Sequence, residues 1–142
     1  MHFEVKVPDA HSATYVTNYL QMNYHSSHEE EFYGMGLEYT IWNFKGHRIP
    51  LIVEEGGIGR GAQPITWIEN RMRGVKGQGG NSATSYGATP NYITNVNRGM
   101  IFNNTHIGIA DFKKKDKTSF LFWHATSMQG IILSGKDPLH LA

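Results

Sequence analysis

Short apolar runs at Ile93, Met100 to Phe102, Ile107 to Ile109, Phe120 to Trp123 and Ile131 to Leu133 follow one another through the second half of the chain, divided by Asn, Gly and Lys clusters. Runs so short and so evenly spaced cannot bury themselves as helices. They must pair edge to edge and stack, and this predicts an all-β, mainly antiparallel β-sandwich. The first half gives the same signal more faintly. Phe3, Val5 and Val7 alternate with Glu4 and Lys6, the period of a half-buried strand, and the β-branched and aromatic residues from Ser12 to Tyr24 favour a second extended segment. Ile49 to Val53 reads as a short buried strand, whereas Pro90 marks residues 81–97 as an edge or a connection. The good helix candidate is short, from Pro64 to Met72: Pro64 suits a first turn, Ile65, Ile68 and Met72 share a face, and Gly74 can end it.

With 142 residues, 39% of them apolar, the chain can bury one core and has little room for two domains. A net charge of +1 gives no electrostatic reason to expect nucleic acid or a membrane surface as partner, and no apolar run reaches membrane-spanning length. The run from Lys113 to Lys117 reads as a solvated hairpin tip. The start, MHFEVKVPDA, lacks a charged-then-apolar signal pattern, and the absence of cysteine fits a reducing compartment, which favours a cytoplasmic location without fixing one. No cofactor or metal is expected. His25, His28 and Glu29 lack a further ligand nearby, and HSSHEEE reads as a solvated turn. From Gly135 to Ala142 the chain shows no closing strand.

The densest part is Phe32 to Arg60, FYGMGLEYTIWNFKGHRIPLIVEEGGIGR, where glycines, aromatics and charges alternate in short blocks. Glycines at this density suit a chain that turns tightly or lets another group approach its main chain. Gly57-Ile58-Gly59-Arg60-Gly61 lacks the spacing and the strand-to-helix setting of a phosphate loop.

FYGMG, the Lys45-Gly46 turn, Pro50-Leu51, EEGGIGRGAQPIT and then GQGGNSATSYGATPNYITNVNRGMIFNN occur in an order that resembles the N-terminal region of glycoside hydrolase family 31, in its α-glucosidase and sulfoquinovosidase-like branch. The likeness runs from about Glu31 to Phe122. The chain departs from it at Leu37, where relatives usually carry Glu, and at Gly56, where many carry Gln. The resemblance implies a galactose-mutarotase-like β-sandwich that precedes a (β/α)8 barrel bearing the catalytic aspartates. It also implies an α-glycoside or sulfosugar as substrate of the full-length enzyme. Such a barrel needs roughly 250 residues. Residues 1–142 are therefore expected to be a single N-terminal sandwich, a truncated piece without the barrel and without catalytic residues of its own.

Glycoside hydrolysis needs two carboxylates at a set separation, and Glu38, Glu54, Glu55, Glu69 and Asp111 are the acids to consider. The resemblance places the catalytic pair in the barrel instead. Glu54 then reads as a loop carboxylate. For Glu55 and Arg60 two readings stay open: they pair with each other, or they border the sugar pocket, with Gln63 at the end of the same loop. Trp42, Trp67, Tyr86, Tyr92 and Trp123 have the flat faces and polar handles that suit a pyranose ring. Most are expected in the core, and Tyr86, in a glycine- and serine-rich stretch, is the one expected at the rim. His47, His106 and His124 read as ordinary strand or loop histidines. Three functions remain open: the N-terminal domain of a retaining α-glycosidase, with the barrel as its partner in cis; a free-standing carbohydrate-binding module; and a structural interaction domain.

Overall fold

A computed structural model describes residues 1–7, 18–37, 41–53 and 85–141. Among the described residues nine strands form in chain order: β1 (His2–Lys6), β2 (Tyr19–His25), β3 (Phe32–Gly36), β4 (Arg48–Leu51), β5 (Ala88–Thr94), β6 (Arg98–Phe102), β7 (Gly108–Asp111), β8 (Lys117–Trp123) and β9 (Ser127–Ser134), followed by a 3-10 turn at Pro138–Leu141. They make two antiparallel sheets, one ordered β1-β9-β6-β5-β3 and the other β2-β8-β7-β4. Alternation decides which residues lie between the sheets. In β8, Thr118, Phe120 and Phe122 are fully buried, while Lys117, Ser119, Leu121 and Trp123 point away.

The core is aromatic. Phe32, Phe112 and Phe44 meet at the β3 edge, and Tyr92 stacks on Phe120 with ring centroids 5.4 Å apart. Phe102 reaches Phe120 at 4.7 Å, which joins the two sheets at the centre. Burial of each such ring contributes about 1.5–3 kcal/mol, so the sheets are held face to face chiefly by these contacts. Beyond β7, the exposed Lys113 to Asp116 form the tip of the hairpin to β8, as the charge run predicts.

The YGMG sequence is a tightly fitted bulge. Gly34, Met35 and Gly36 all have positive φ (119°, 63° and 94°), and the register with β5 slips between Gly34 and Gly36. A Cβ on Gly36 would lie 1.8 Å from the Gly87 carbonyl oxygen. The group that approaches this main chain so closely is therefore the chain's own backbone at Gly87, just before β5.

Several sequence expectations are corrected. Residues 88–94 form a strand inside the five-stranded sheet, with Pro90 located where it costs no ladder bond: pairing with β6 begins at Asn91, and on the other side Pro90 faces the bulge. The strand expected over Ile49 to Val53 stops at Leu51, since Ile52 and Val53 are exposed. In the second extended segment, β2 is observed from Tyr19, and residues 8–17 lie outside the described part. HSSHEEE is not wholly solvated, because Ser26 and Glu30 are fully buried. The tail past Gly135 folds back, with Leu141 buried and the Gly135 amide donating to the Asn97 carbonyl. The Pro64 to Met72 helix lies outside the described residues.

Candidate functional site

At one end of the sandwich β4 runs out through Ile52 to Val53, and the chain re-enters at Ser85, which forms a parallel bridge with Val53. That bridge brings together the two ends of residues 54–84. Glu55, Arg60 and Gln63, the residues expected at a sugar-pocket rim, fall within this stretch and lie outside the described residues, as do Glu38, Glu54, Glu69 and Trp67. Tyr86, the fourth rim candidate, is described. It is 42% exposed and follows Ser85 directly.

Its flanks are anchored on both sides. The Gly87 amide donates to the Ser85 hydroxyl (3.2 Å), and the Gly87 carbonyl accepts from the Leu37 amide (2.9 Å). The Tyr86 backbone is thus pinned between the Val53 bridge and the start of β5. Beside it, Leu51, Val53, Pro90, His106 and Ile107 line a depression of about 210 Å³. Sites that enclose a small ligand run to about 300–1,000 Å³, so this surface alone can border a sugar ring but not surround it.

The acids separate clearly by setting. Asp111, the described member of the candidate carboxylates, lies on the outer face of the four-stranded sheet and is bound by Arg48 Nε (3.0 Å) and Nη2 (2.5 Å). Its partial burial works to raise its pKa. The Lys113 amide and the Arg48 guanidinium outweigh that and hold the carboxyl below the usual range. It is a strut between β4 and β7, not a free acid.

Glu30 is an acid that sequence reasoning missed. Its side chain is fully buried and takes two bonds from Arg98, at 2.6 Å from Nε and 2.5 Å from Nη2. Arg98 also donates to the His25 carbonyl and lies over the Tyr24 ring, 5.3 Å from its centroid. The bond to Glu30 raises the pKa of Arg98, and burial pushes the neighbouring Tyr24 phenol up to about 12. Lys45 closes the same end of the sandwich, donating to the Ser27 and Lys115 carbonyls. No local signal marks Glu30, one of three consecutive glutamates whose partner is 68 residues away.

Among the aromatic candidates Tyr92 belongs to the core, as expected, but Trp42 is 84% exposed and Trp123 also faces solvent. Tyr86, the aromatic expected at the rim, is therefore one of several of these candidates at the surface. His47 sits between the Lys45-Gly46 turn and β4, His106 precedes β7, and His124 occupies a positive-φ turn after β8. All three are loop residues.

These features define a class: a two-sheet antiparallel β-sandwich with an aromatic core, one end of which gathers the two ends of a long glycine-rich connection. The same fold occurs within enzymes of glycoside hydrolase family 31. A GH31 sulfoquinovosidase from E. rectale superimposes with a TM-score of 0.73 at 18% identity, over 84% of this chain and 17% of that one. A GH31 dextranase from Flavobacterium johnsoniae gives 0.66 at 18% identity, over 87% and 13%. The cycloalternan-forming enzyme of Listeria monocytogenes gives 0.61 at 22% identity, over 84% and 10%. The chain thus spans less than a fifth of the length of these proteins. No family model and no curated sequence matches it.

Proposed function

We propose that the chain is the N-terminal, non-catalytic β-sandwich of a retaining α-glycosidase of family 31, which supports the catalytic barrel and contributes the connection bearing Glu55, Arg60 and Gln63, with Tyr86, to the rim of the sugar pocket. The observation that carries this reading is the coverage of the structural likeness: 84% of this chain against 17% of the E. rectale sulfoquinovosidase, the proportion expected of one accessory domain in a larger hydrolase. The order of glycine motifs in the sequence supports the same family. The Val53–Ser85 bridge supports the rim role, because it brings the two ends of the 31-residue connection, residues 54–84, together beside Tyr86 at one end of the sandwich.

The substrate on this reading is an α-glycoside or an α-sulfosugar, and the barrel is the partner in cis. The chain alone hydrolyses neither, because the carboxylate pair that the reaction needs is supplied by the barrel. Two measurements test this. The transcript that encodes the chain should continue in frame into a barrel with two candidate catalytic aspartates, and a stop codon after Ala142 in mature message overturns the proposal. Purified 142-residue chain should not turn over aryl α-glucosides or α-sulfoquinovosides above a blank. Turnover abolished by Glu55→Gln would move the catalytic groups into this domain.

A further inference from the structure

The outward face of the five-stranded sheet carries an aromatic pair that the rim reading does not use. Trp42 follows β3 and lies back against it: its ring is 5.9 Å from that of Tyr33, with the planes tilted by 54°. The Trp42 indole is 84% exposed, but the backbone that follows it is anchored. Asn43 Oδ1 accepts from the Phe32 and Lys45 amides, the Phe44 amide donates to the Phe32 carbonyl, and the Phe44 ring is buried in the core. Tyr33 is oriented as well, because its hydroxyl donates to the Glu31 carboxylate. The two rings form an open V at the surface, with Tyr33 and the backbone after Trp42 held in place.

Next to the V, in register along the sheet, Ile93 lies opposite Tyr33, Asn91 opposite Ile101, and Leu133 opposite Gly99. These residues floor a shallow depression of about 250 Å³. The Asn91 side-chain amide and the Trp42 indole N–H make no hydrogen bond to a described residue.

We propose that the Trp42–Tyr33 pair is a binding platform for an uncharged pyranose ring of an oligosaccharide. The apolar faces of the V match the C–H face of the sugar, and the indole N–H, the Asn91 amide and the remaining lone pairs of Glu31 meet its hydroxyls. Glu31 at the edge of the platform disfavours an anionic sugar. Size argues against a protein occupant. A stable protein interface engages about 20–30 residues a side. Among the described residues the apolar surface comprises Trp42, Tyr33, Ile93, Ile101 and Leu133 and continues past Ile101 to Phe3 and Ile131, still well short of that count, with Glu31 on one flank and Glu4 and Gln129 interrupting the other. This goes beyond the glycosidase reading and stands or falls on the chain by itself, whether or not a barrel follows.

Isothermal titration of the 142-residue chain with maltotriose, isomaltotriose and trigalacturonate tests it. At least one neutral trisaccharide should bind with a dissociation constant of about 1 mM, as weak as a single stacking platform allows, and trigalacturonate should bind more weakly. W42A should lose about tenfold or more in affinity and W42F should stay within about threefold of the parent. W123A, on the other sheet, should bind like the parent. Circular dichroism of W42A should be unchanged, since the side chain is outside the core. Absence of binding by all three sugars, equal binding by W42A, or trigalacturonate bound as tightly as the neutral sugars overturns the proposal. So does sedimentation showing that the parent self-associates and W42A does not, for then the platform is a protein interface.

Discussion

Replacing Arg98 by alanine should be far more damaging than replacing its partner Glu30 by glutamine, although both changes break the same ion pair. Glu30 is fully buried, and both of its oxygens take bonds from Arg98. Without the guanidinium the carboxylate is left inside the sandwich with no bonded cation and only the Lys45 ammonium nearby, a change that costs about 3–5 kcal/mol. Arg98, by contrast, keeps 38% of its side chain in solvent and a second bond to the His25 carbonyl. When Glu30 becomes Gln it retains one acceptor for Arg98 and the cation stays hydrated, so the cost should be about 1–2 kcal/mol. Domains of this size have about 5–15 kcal/mol of stability in total, so R98A removes a large share and E30Q a small one. Urea unfolding followed by tryptophan fluorescence at pH 7 measures both, with an unchanged m-value required for the comparison. The double variant E30Q/R98A should recover part of the R98A loss, a coupling of about 1–3 kcal/mol. If E30Q costs as much as R98A, or R98A costs less than about 1.5 kcal/mol, Glu30 is hydrated in solution and the account of this end of the sandwich is wrong.

The glycines should separate by contact. G36A sets a Cβ 1.8 Å from the Gly87 oxygen and should cost more than about 3 kcal/mol or prevent folding, whereas G46A has positive φ but open space and should cost about 1–2 kcal/mol. The hydroxyl of Tyr24 is buried and, although Tyr92 and Thr118 lie near it, makes no hydrogen bond of good geometry among the described residues, so Y24F should be neutral or stabilising by up to about 1 kcal/mol in the same unfolding assay. Absorbance at 295 nm should show the Tyr24 phenol titrating only near pH 12. Since its folded pKa is raised, its contribution is complete below the unfolded value of about 10 and is lost as pH rises from there through about 12. Asp111 has the opposite sign: its pKa is depressed, so its contribution is present above the unfolded value of about 3.9 and disappears as pH falls through the lower folded value. D111N should therefore cost under about 1 kcal/mol at pH 7, because Arg48 is well exposed, and the gap to the parent should close in acid. A gap that widens with falling pH would refute the assignment.

The alternation in β8, the apolar runs of β6 and β9 and the basic hairpin tip were legible because each depends on a period of two or on a turn residue within a few positions. The aromatic content pointed to a core of rings, and the motif order from FYGMG onward pointed to the fold that the solved family 31 enzymes share. The rim candidates were only partly legible. Tyr86 is at the surface as its glycine- and serine-rich setting suggests, but its position depends on the Val53–Ser85 bridge, which joins residues 32 apart. Trp42 could not be told from a core tryptophan by its neighbours, since Ile41 and Phe44 on either side both turn inward.

Local chemistry in the sequence by itself therefore determined the strand character, the antiparallel sandwich class, the Lys45-Gly46 turn and the hairpin tip, because each requires only neighbours along the chain. Contacts between distant residues decided the rest. The bulge of YGMG exists because Gly87 stands against Gly36, Pro90 is tolerated inside a sheet because its neighbours there demand no bond, and Glu30 is buried because Arg98 crosses from another strand to meet it. The four-stranded and five-stranded order, and hence the outward position of Trp42 and Tyr33, follows from which strands pair across the whole chain. A period of two assigns a residue to one face or the other but does not say which face meets the core. That choice is made only when the sheets pack.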